Sequence, residues 1–569
     1  MQVSNIKING MHNPVGYLME QISCSWKVTQ TDAKRQKNVK IEAALDEAFQ
    51  QIILSKEGED LCQAGEKLEF TTAPHIRYFI RVTVTTELEE TATSETAFFE
   101  TAKENEGWTG KWITTKETDE FHPVFCKTFF VEKEITSARL YISGLGLFTA
   151  RLNGRKVGEE VLTPYYSNYH DEIQYLTFDI TDQIERENEI QVELGNGWYK
   201  GRFGLGGQKE NFGSRFQMIA EIHLTCQDGT TQVIGTDETW KYKGSNTEAS
   251  DIYDGEIQND LLWENQENEL QNAVLTQAEG TLVERYSLPV QEMEKLAVKE
   301  VIHTPIGETV LDFGQNFAGY VSFVSNQPKG TKIVLDFGEI LQNDNFYNEN
   351  YRSAKAQFVY ISDGTERVVK PQFTYYGFRY VRVSGWQGEL NPEDFTGIAV
   401  YSNMKTTGKI ETGHDGVNQL FSNAMWGQKS NSVDFPTDCP QRDERLGWTG
   451  DAQVFSGTAC YNMDCAAFYN KFIHDLRTEQ KKLDGVLPGV IPVFDPNAAI
   501  FSSIWGDIAT FLPTVLYEHY GDRQALEQYY PMMKDWVDKI TREDQKRGQK
   551  YLYDFGNQLG DWLALDGRT

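Results

Sequence analysis

Apolar and polar residues alternate through the first two-thirds of the chain. Tyr78, Ile80, Val82 and Val84 form one such run. Leu140 with Ile142, then Ile190, Val192 and Leu194, then Ile333, Leu335 and Phe337 form others. A period of two places successive side chains on opposite faces of a strand, so each run predicts a half-buried β-strand. Asn153-Gly154, Asn196-Gly197 and Asp363-Gly364 lie between runs and predict turns, because Asn and Gly tolerate the left-handed backbone that tight turns require. Strands at this spacing, with no helical pattern between them, predict antiparallel sandwiches rather than βαβ units.

After Thr407 the period changes to 3.6. Phe455, Ala459, Met463, Ala466, Tyr469, Phe472, Ile473 and Leu476 predict one long helix. Ile508, Phe511, Leu512, Val515, Leu516 and His519 predict a second, and Leu526, Tyr529, Tyr530, Met533, Trp536, Val537 and Ile540 a third. Each set recurs at i, i+3, i+4, i+7, the spacing of an amphipathic helix. A shorter helix is expected near 415–428. Texture and turn signals together divide the chain into a fibronectin-like sandwich at 12–102, a larger β-unit at 103–298, a third at 299–406 and a helical unit at 407–569.

Composition narrows the function classes. Lys and Arg number 54 against 84 Asp and Glu, a net charge of −30. Such a surface repels nucleic acid and anionic membranes and favours a neutral or weakly charged ligand. No stretch approaches the roughly 20 apolar residues of a membrane-spanning helix. The first residues, MQVSNIKINGMHNPVGYLMEQ, lack the basic start, apolar core and cleavage site of a secretion signal. The seven cysteines are irregularly spaced, which fits reduced thiols in a cytoplasm better than a disulfide framework. Aromatic residues make up 12% of the chain, a supply that serves sugar stacking and sandwich cores equally.

The densest chemistry lies where the two textures meet, in DFPTDCPQRDERLGWTGD (434–451). Pro436 and Pro440 exclude a regular helix there, so the run is a loop leading into a helix near Asp451, whose carboxylate would act as N-cap or first-turn acid. A solvated charge run would explain the carboxylates alone. Alternating charge sign, two glycines, two prolines and an interleaved Trp448 fit equally well a rigid surface offering acids beside an aromatic platform. That combination suits a glycosidase subsite, where one acid stays protonated, others hold hydroxyls and a ring faces the sugar.

TDCPQRDERLGWTGDAQ (437–453) closely resembles the signature of family 78 glycoside hydrolases, the bacterial α-L-rhamnosidases. ARLNGRKVGEEVLTPYYSNY with GNGWYKGRFG resembles the family's N-terminal sandwich, GWTGKWITT the segment before it, and LDFGQNFAGYV with PQFTYYGFRYVRVSG its central sandwich. The resemblance runs along nearly the whole chain. It implies a multidomain fold of several antiparallel β-sandwiches followed by an (α/α)6 barrel, and hydrolysis of terminal α-L-rhamnose with inversion.

Position by position, the resemblance makes Glu444 the general acid, with a pKa raised by burial or by neighbouring carboxylates. It makes Asp438 and Asp451 acids that hold the sugar's hydroxyls, Arg442 a partner of the sugar or of an aspartate, and Trp448 the wall facing its methyl group. Asp443 and Arg445 are read as loop anchors. Trp505, Asp507, Asp561 and Trp562 resemble segments that complete the pocket. The family's general base is a glutamate in the second half of the barrel, and no residue here matches it. The barrel is therefore expected to be incomplete at Thr569, the chain to be a C-terminally truncated fragment, and the chain alone to be inactive.

Other signals point elsewhere. GRFGLGGQ (201–208) lacks the Lys-Ser/Thr of a phosphate loop and predicts a turn. No HExxH or CxxC spacing indicates zinc, and no redox or nucleotide cofactor is implied. Asp251, Asp254 and Glu256 offer calcium ligands without the spacing of an EF-hand. The alternatives are a glycosidase or phosphorylase acting on another sugar, and a carbohydrate-binding protein without catalysis.

Overall fold

The computed structural model describes residues 1–116, 121–205, 207–265, 270–494, 502–556 and 558. The first sandwich packs a three-stranded sheet against a five-stranded one. In Arg77–Thr86 the expected residues Tyr78, Ile80, Val82 and Val84 all point inward. The strand Gln2–Ile8 pairs with Ser23–Thr29, so this unit takes in residues ahead of the expected start at 12. Its apolar core is separate from that of the rest of the chain.

The second unit is a larger sandwich. One sheet is centred on Pro123–Phe130 and Glu187–Gly195, the other on Ile135–Leu145 and Gln217–Cys226. Asn153-Gly154 turns the chain between Leu147–Leu152 and Arg155–Lys156, both residues taking positive φ. Asn196-Gly197 instead opens a single helical turn, Gly197–Lys200.

The third unit is built around one large sheet. Thr309–Ser325 runs through its middle, flanked by Tyr376–Ser384 and Phe395–Ser402. Two segments expected in the second unit join this sheet. Gly255–Asn259 pairs with Gln357–Ile361, and Val290–Ala297 with Phe395–Ser402. The first of these pairings is parallel, as is Glu172–Asp179 with Thr281–Glu284, so the sheets are not antiparallel throughout. Each parallel partner arrives from a distant stretch of chain, which local alternation cannot register.

The helices of the last unit are Asp415–Ser430, Thr449–Asn462, Ala466–Lys482, Ile508–Tyr520 and Arg523–Lys546. The long helix expected from Phe455 to Leu476 is therefore two. Its break has a visible cause: the segment 405–408 runs alongside 462–464 and takes over its backbone bonds. Thr407 and Gly408 donate to the Asn462 carbonyl at 2.9 Å each, and Asp464 donates to Lys405 at 2.9 Å. Met463 is extended at φ −138°, so apolar periodicity continues across a point where the helix does not. The side chain of Asp464 pairs with Lys7 of the first sandwich.

The second, third and helical units share one apolar core. At their junction a charged cluster is buried. Lys471 lies 2.8 Å from Asp475 and 3.4 Å from Asp434, and it donates to the Tyr166 carbonyl at 3.1 Å. Removing one member of such a cluster leaves the others uncompensated. Lys471→Met is expected to destabilise the protein by about 3–5 kcal/mol near pH 7, read from the urea unfolding midpoint. Burial pushes the Asp475 carboxyl up to about 6 against the pull of Lys471. Near pH 5, where Asp475 takes up a proton in the folded state, the loss is therefore expected to be smaller.

Candidate active site

The carboxylate-rich loop connects the Asp415–Ser430 and Thr449–Asn462 helices. A short hairpin, Ser432–Val433 with Phe435–Pro436, opens it, with Asp434 at the turn in left-handed backbone, φ 70°. The buried Asp434 carboxylate pins this turn by accepting from the Tyr166 backbone N–H at 2.9 Å.

Arg445 is fully buried, yet no carboxylate meets it among the described residues. Its guanidinium donates to four carbonyls: Tyr375 at 2.7 Å, Ile252 at 2.8 Å, Gln441 at 3.0 Å and Arg442 at 3.3 Å. The fork also lies over the Tyr375 ring, 4.8 Å from its centroid. One side chain thus ties the loop to two stretches of chain that enter the large third sheet far apart in sequence. Asp443 adds a second tie, accepting from the Ser353 backbone and hydroxyl. Tyr253 donates its hydroxyl to the Glu444 carbonyl at 2.6 Å. Gly377 lies directly beneath Pro440, where a Cβ would come within 2.8 Å of the proline ring. Only glycine permits so close a seat.

This frame places the candidate residues. The buried Glu444 carboxylate accepts from the Trp448 indole N–H at 3.0 Å through Oε1. Through Oε2 it meets Arg442 at 3.1 Å and, more tightly, Arg352. Asp438 accepts from the Leu446 backbone N–H at 2.8 Å and from Arg442 at 3.2 Å. Arg442 therefore bridges the two acids, and an oxygen of each lies within 4.8 Å of the other. Burial, then the charge of Glu444, pushes the Asp438 carboxyl up to about 6.

Asp451 lies in the first turn of its helix, but Trp448 is the N-cap and the helix begins at Thr449. Its carboxyl is also raised by partial burial and by Glu444. A cavity of about 620 Å³ opens beside the cluster, bordered by Asn431, Thr437, Asp438, Asp451, Trp505 and the apolar side chains of the surrounding helices. It meets the acid cluster at Asp438 and Asp451, while Glu444, Arg442 and Trp448 do not border it. Trp505 packs so closely on Gly450 that a Cβ there would come within 2.8 Å of the indole.

Asp507 takes a different role from the one expected. One oxygen accepts from the Trp536 indole N–H at 3.0 Å and the other from the Ile504 backbone N–H at 2.8 Å. It organises the turn that carries Trp505 and does not border the cavity. Asp561 and Trp562 lie outside the described residues. The possible calcium ligands have separate protein partners: Asp251 holds the Arg202, Tyr253 and Asp254 backbones, Asp254 pairs with Arg202, and Glu256 accepts from Gln258, Gln372 and Phe373.

Arg352 is the participant that sequence reading missed. It sits in a loop of the third unit at φ 59°, 92 residues before Glu444, and no local pattern links the two.

A carboxylate–arginine–tryptophan loop at the head of a helical unit, braced by β-sandwiches, defines the architecture of a multidomain glycoside hydrolase. Four family models follow one another along the chain. The Rha78A-like N-terminal immunoglobulin domain matches residues 3–105 and the alpha-L-rhamnosidase N-terminal domain 133–298. The bacterial alpha-L-rhamnosidase concanavalin-like domain matches 302–401, and the six-hairpin glycosidase domain of the same enzymes 405–569. The solved structure of the native α-L-rhamnosidase from Aspergillus terreus is 31% identical, with a TM-score of 0.91 over 100% of this chain and 68% of that one. The chain belongs to the bacterial α-L-rhamnosidase family. An α-L-rhamnosidase of Formosa agariphila is 34% identical over 81% of this chain and 52% of its own length. One from Alteromonas sp. strain LOR is 31% identical over 98% of this chain and 64% of its own. The chain thus spans between half and two-thirds of these two relatives.

The raised Asp438 has a consequence for stability. Between about pH 4 and 6 the folded carboxyl holds a proton that the unfolded one has released, so its contribution falls as pH rises through that window. Asp438→Asn is expected to remove this share of the slope. Unfolding midpoints across that range check it, and an unchanged slope in the variant would count against the assignment.

Proposed function

We propose that the chain carries the acid side of an inverting α-L-rhamnosidase site, acting on terminal α-L-rhamnose of small neutral or weakly acidic glycosides. The observation that carries this reading is the braced cluster of Glu444, Asp438, Arg442 and Trp448, which reaches the cavity through Asp438. Glu444 donates a proton to the leaving glycosidic oxygen while water attacks the anomeric carbon from the opposite face. Donation from Oε2 requires that oxygen to be released by both Arg442 and Arg352, and sugar hydroxyls accepting from the two guanidiniums would allow this. Asp438 and Glu444 are closer than the about 6.5–9.5 Å that leaves room for the attacking water. Asp438 is therefore assigned to holding hydroxyls, together with Asp451, and the base is assigned to no described residue. Trp505 supplies an apolar wall beside Asp451.

The net charge of −30 favours uncharged glycosides over nucleic acid or anionic membranes as partners. A cytoplasmic setting is in keeping with seven free thiols, six of them buried.

The test is turnover set against binding in the full-length protein. Among nitrophenyl glycosides, the α-L-rhamnoside is expected to be cleaved preferentially. Glu444→Gln should lower kcat at least about 100-fold while leaving rhamnose affinity, measured by calorimetry, near the wild-type value. Undiminished hydrolysis in Glu444→Gln would remove the acid assignment. Rhamnose binding without cleavage of any glycoside by the wild type would favour a binding module. Arg352→Ala, which frees one side of Glu444, is expected to reduce kcat about 10- to 100-fold with little change in KM. Arg352→Lys should restore only part of that loss, because an ammonium lacks the planar fork.

A further inference from the structure

Three chain segments meet where the first sandwich abuts the second. His75 precedes the strand Arg77–Thr86 of the first sandwich, Glu106 lies in the turn that links the two units, and His223 projects from Gln217–Cys226 of the second. A ring nitrogen of each histidine and a carboxylate oxygen of Glu106 all lie within 4.8 Å of one another. The two imidazole centroids are 4.7 Å apart. We propose that His75, Glu106 and His223 bind a divalent transition metal of the zinc type, which clips the first sandwich to the second.

The donor set suits such an ion. Two imidazoles and one carboxylate, with a fourth position open to water, is an established zinc coordination pattern. Donors around a tetrahedral zinc stand about 3.4 Å apart, a separation that falls between the 2.7 Å of His75 Nε2 from Glu106 and the 4.8 Å within which all three donors lie. The supporting contacts suit it too. Metal-binding histidines ordinarily have their second ring nitrogen held by a carboxylate or another polar group. Here the buried Glu221 holds Nε2 of His223 at 2.8 Å, and the Tyr141 hydroxyl holds Nδ1 of His75 at 2.5 Å. His75 Nε2 is left facing Glu106 at 2.7 Å.

Lys103 is the cation closest to the group. It lies 2.6 Å from Glu221 and 3.6 Å from Glu106, so its closer pairing is with Glu221. His75 is held in left-handed backbone, φ 61°, with its N–H on the Ala102 carbonyl at 2.9 Å. A non-glycine residue kept in that conformation is over-determined by its surroundings, as ligand clamps often are. Glu106 is exposed and gives an ion a route in. Sequence spacing could not show the site, because its three ligands come from positions 75, 106 and 223.

The experiment is zinc chloride titrated calorimetrically into the full chain after metal has been stripped with a chelator. One zinc per chain is expected, with binding weakened at least about 10-fold in His223→Gln and in Glu106→Gln. The exposed Glu106 makes its variant a safe control for folding. Cobalt added to the stripped protein should develop the visible absorption of a tetrahedral site, absent from both variants. The proposal is overturned if the wild type takes up no zinc, if both variants bind as tightly as the wild type, or if cobalt keeps its aqueous octahedral spectrum.

Discussion

The loop that carries the candidate acid depends on a positive charge that is buried without a negative one among the described residues. Taking a guanidinium out of water is expensive, and an ion pair is the usual compensation. Arg445 instead directs its donors at four carbonyl oxygens, two from its own loop and two from segments flanking strands of the large third sheet. The planar fork makes this possible, since several donors in fixed directions can meet several dipoles at once. The contact is therefore geometric before it is electrostatic. The carbonyls of Ile252 and Tyr375 must stand where they do, or the charge is left unpaid.

That requirement changes what the β-units are for. They do not merely precede a helical unit that holds the chemistry. Ser353 grips Asp443, Tyr253 grips the Glu444 backbone, and Arg352 reaches the Glu444 carboxylate itself. The acid thus sits between Arg442 of its own loop and Arg352 of another unit. Its surroundings are set by docking between units as much as by the loop's own sequence.

How far the sequence was legible follows from the same distinction. Alternation found the strands because the burial of Arg77–Thr86 obeys a strict period of two and the apolar residues Ile333, Leu335 and Phe337 of Lys332–Gly338 keep the same spacing. The 3.6 period found the helical unit but carried on through Met463, where backbone bonding to 405–408 breaks the helix without disturbing the apolar spacing. The parallel pairing of Gly255–Asn259 with Gln357–Ile361 joins stretches about a hundred residues apart and leaves no local mark. Asp438, Arg442, Glu444, Trp448 and Asp451 could be proposed together because they share one short loop and a family signature. Arg352 could not, having no neighbour in sequence that announces it. Asp507 shows the reverse limit, for a carboxylate next to a tryptophan looks the same in sequence whether it faces a ligand or holds a turn together.

The anchoring of the loop also bears on how the molecule comes to be made. Arg445 bonds to residues 193 and 70 positions earlier, and Glu444 to one 92 positions earlier. A ribosome releases a chain from its N-terminus, and domains fold as they emerge. Ile252, Arg352 and Tyr375 are therefore all outside before the acid loop is synthesised. The loop is cast against a surface that already exists, so the direction of translation is also the order in which the site is assembled.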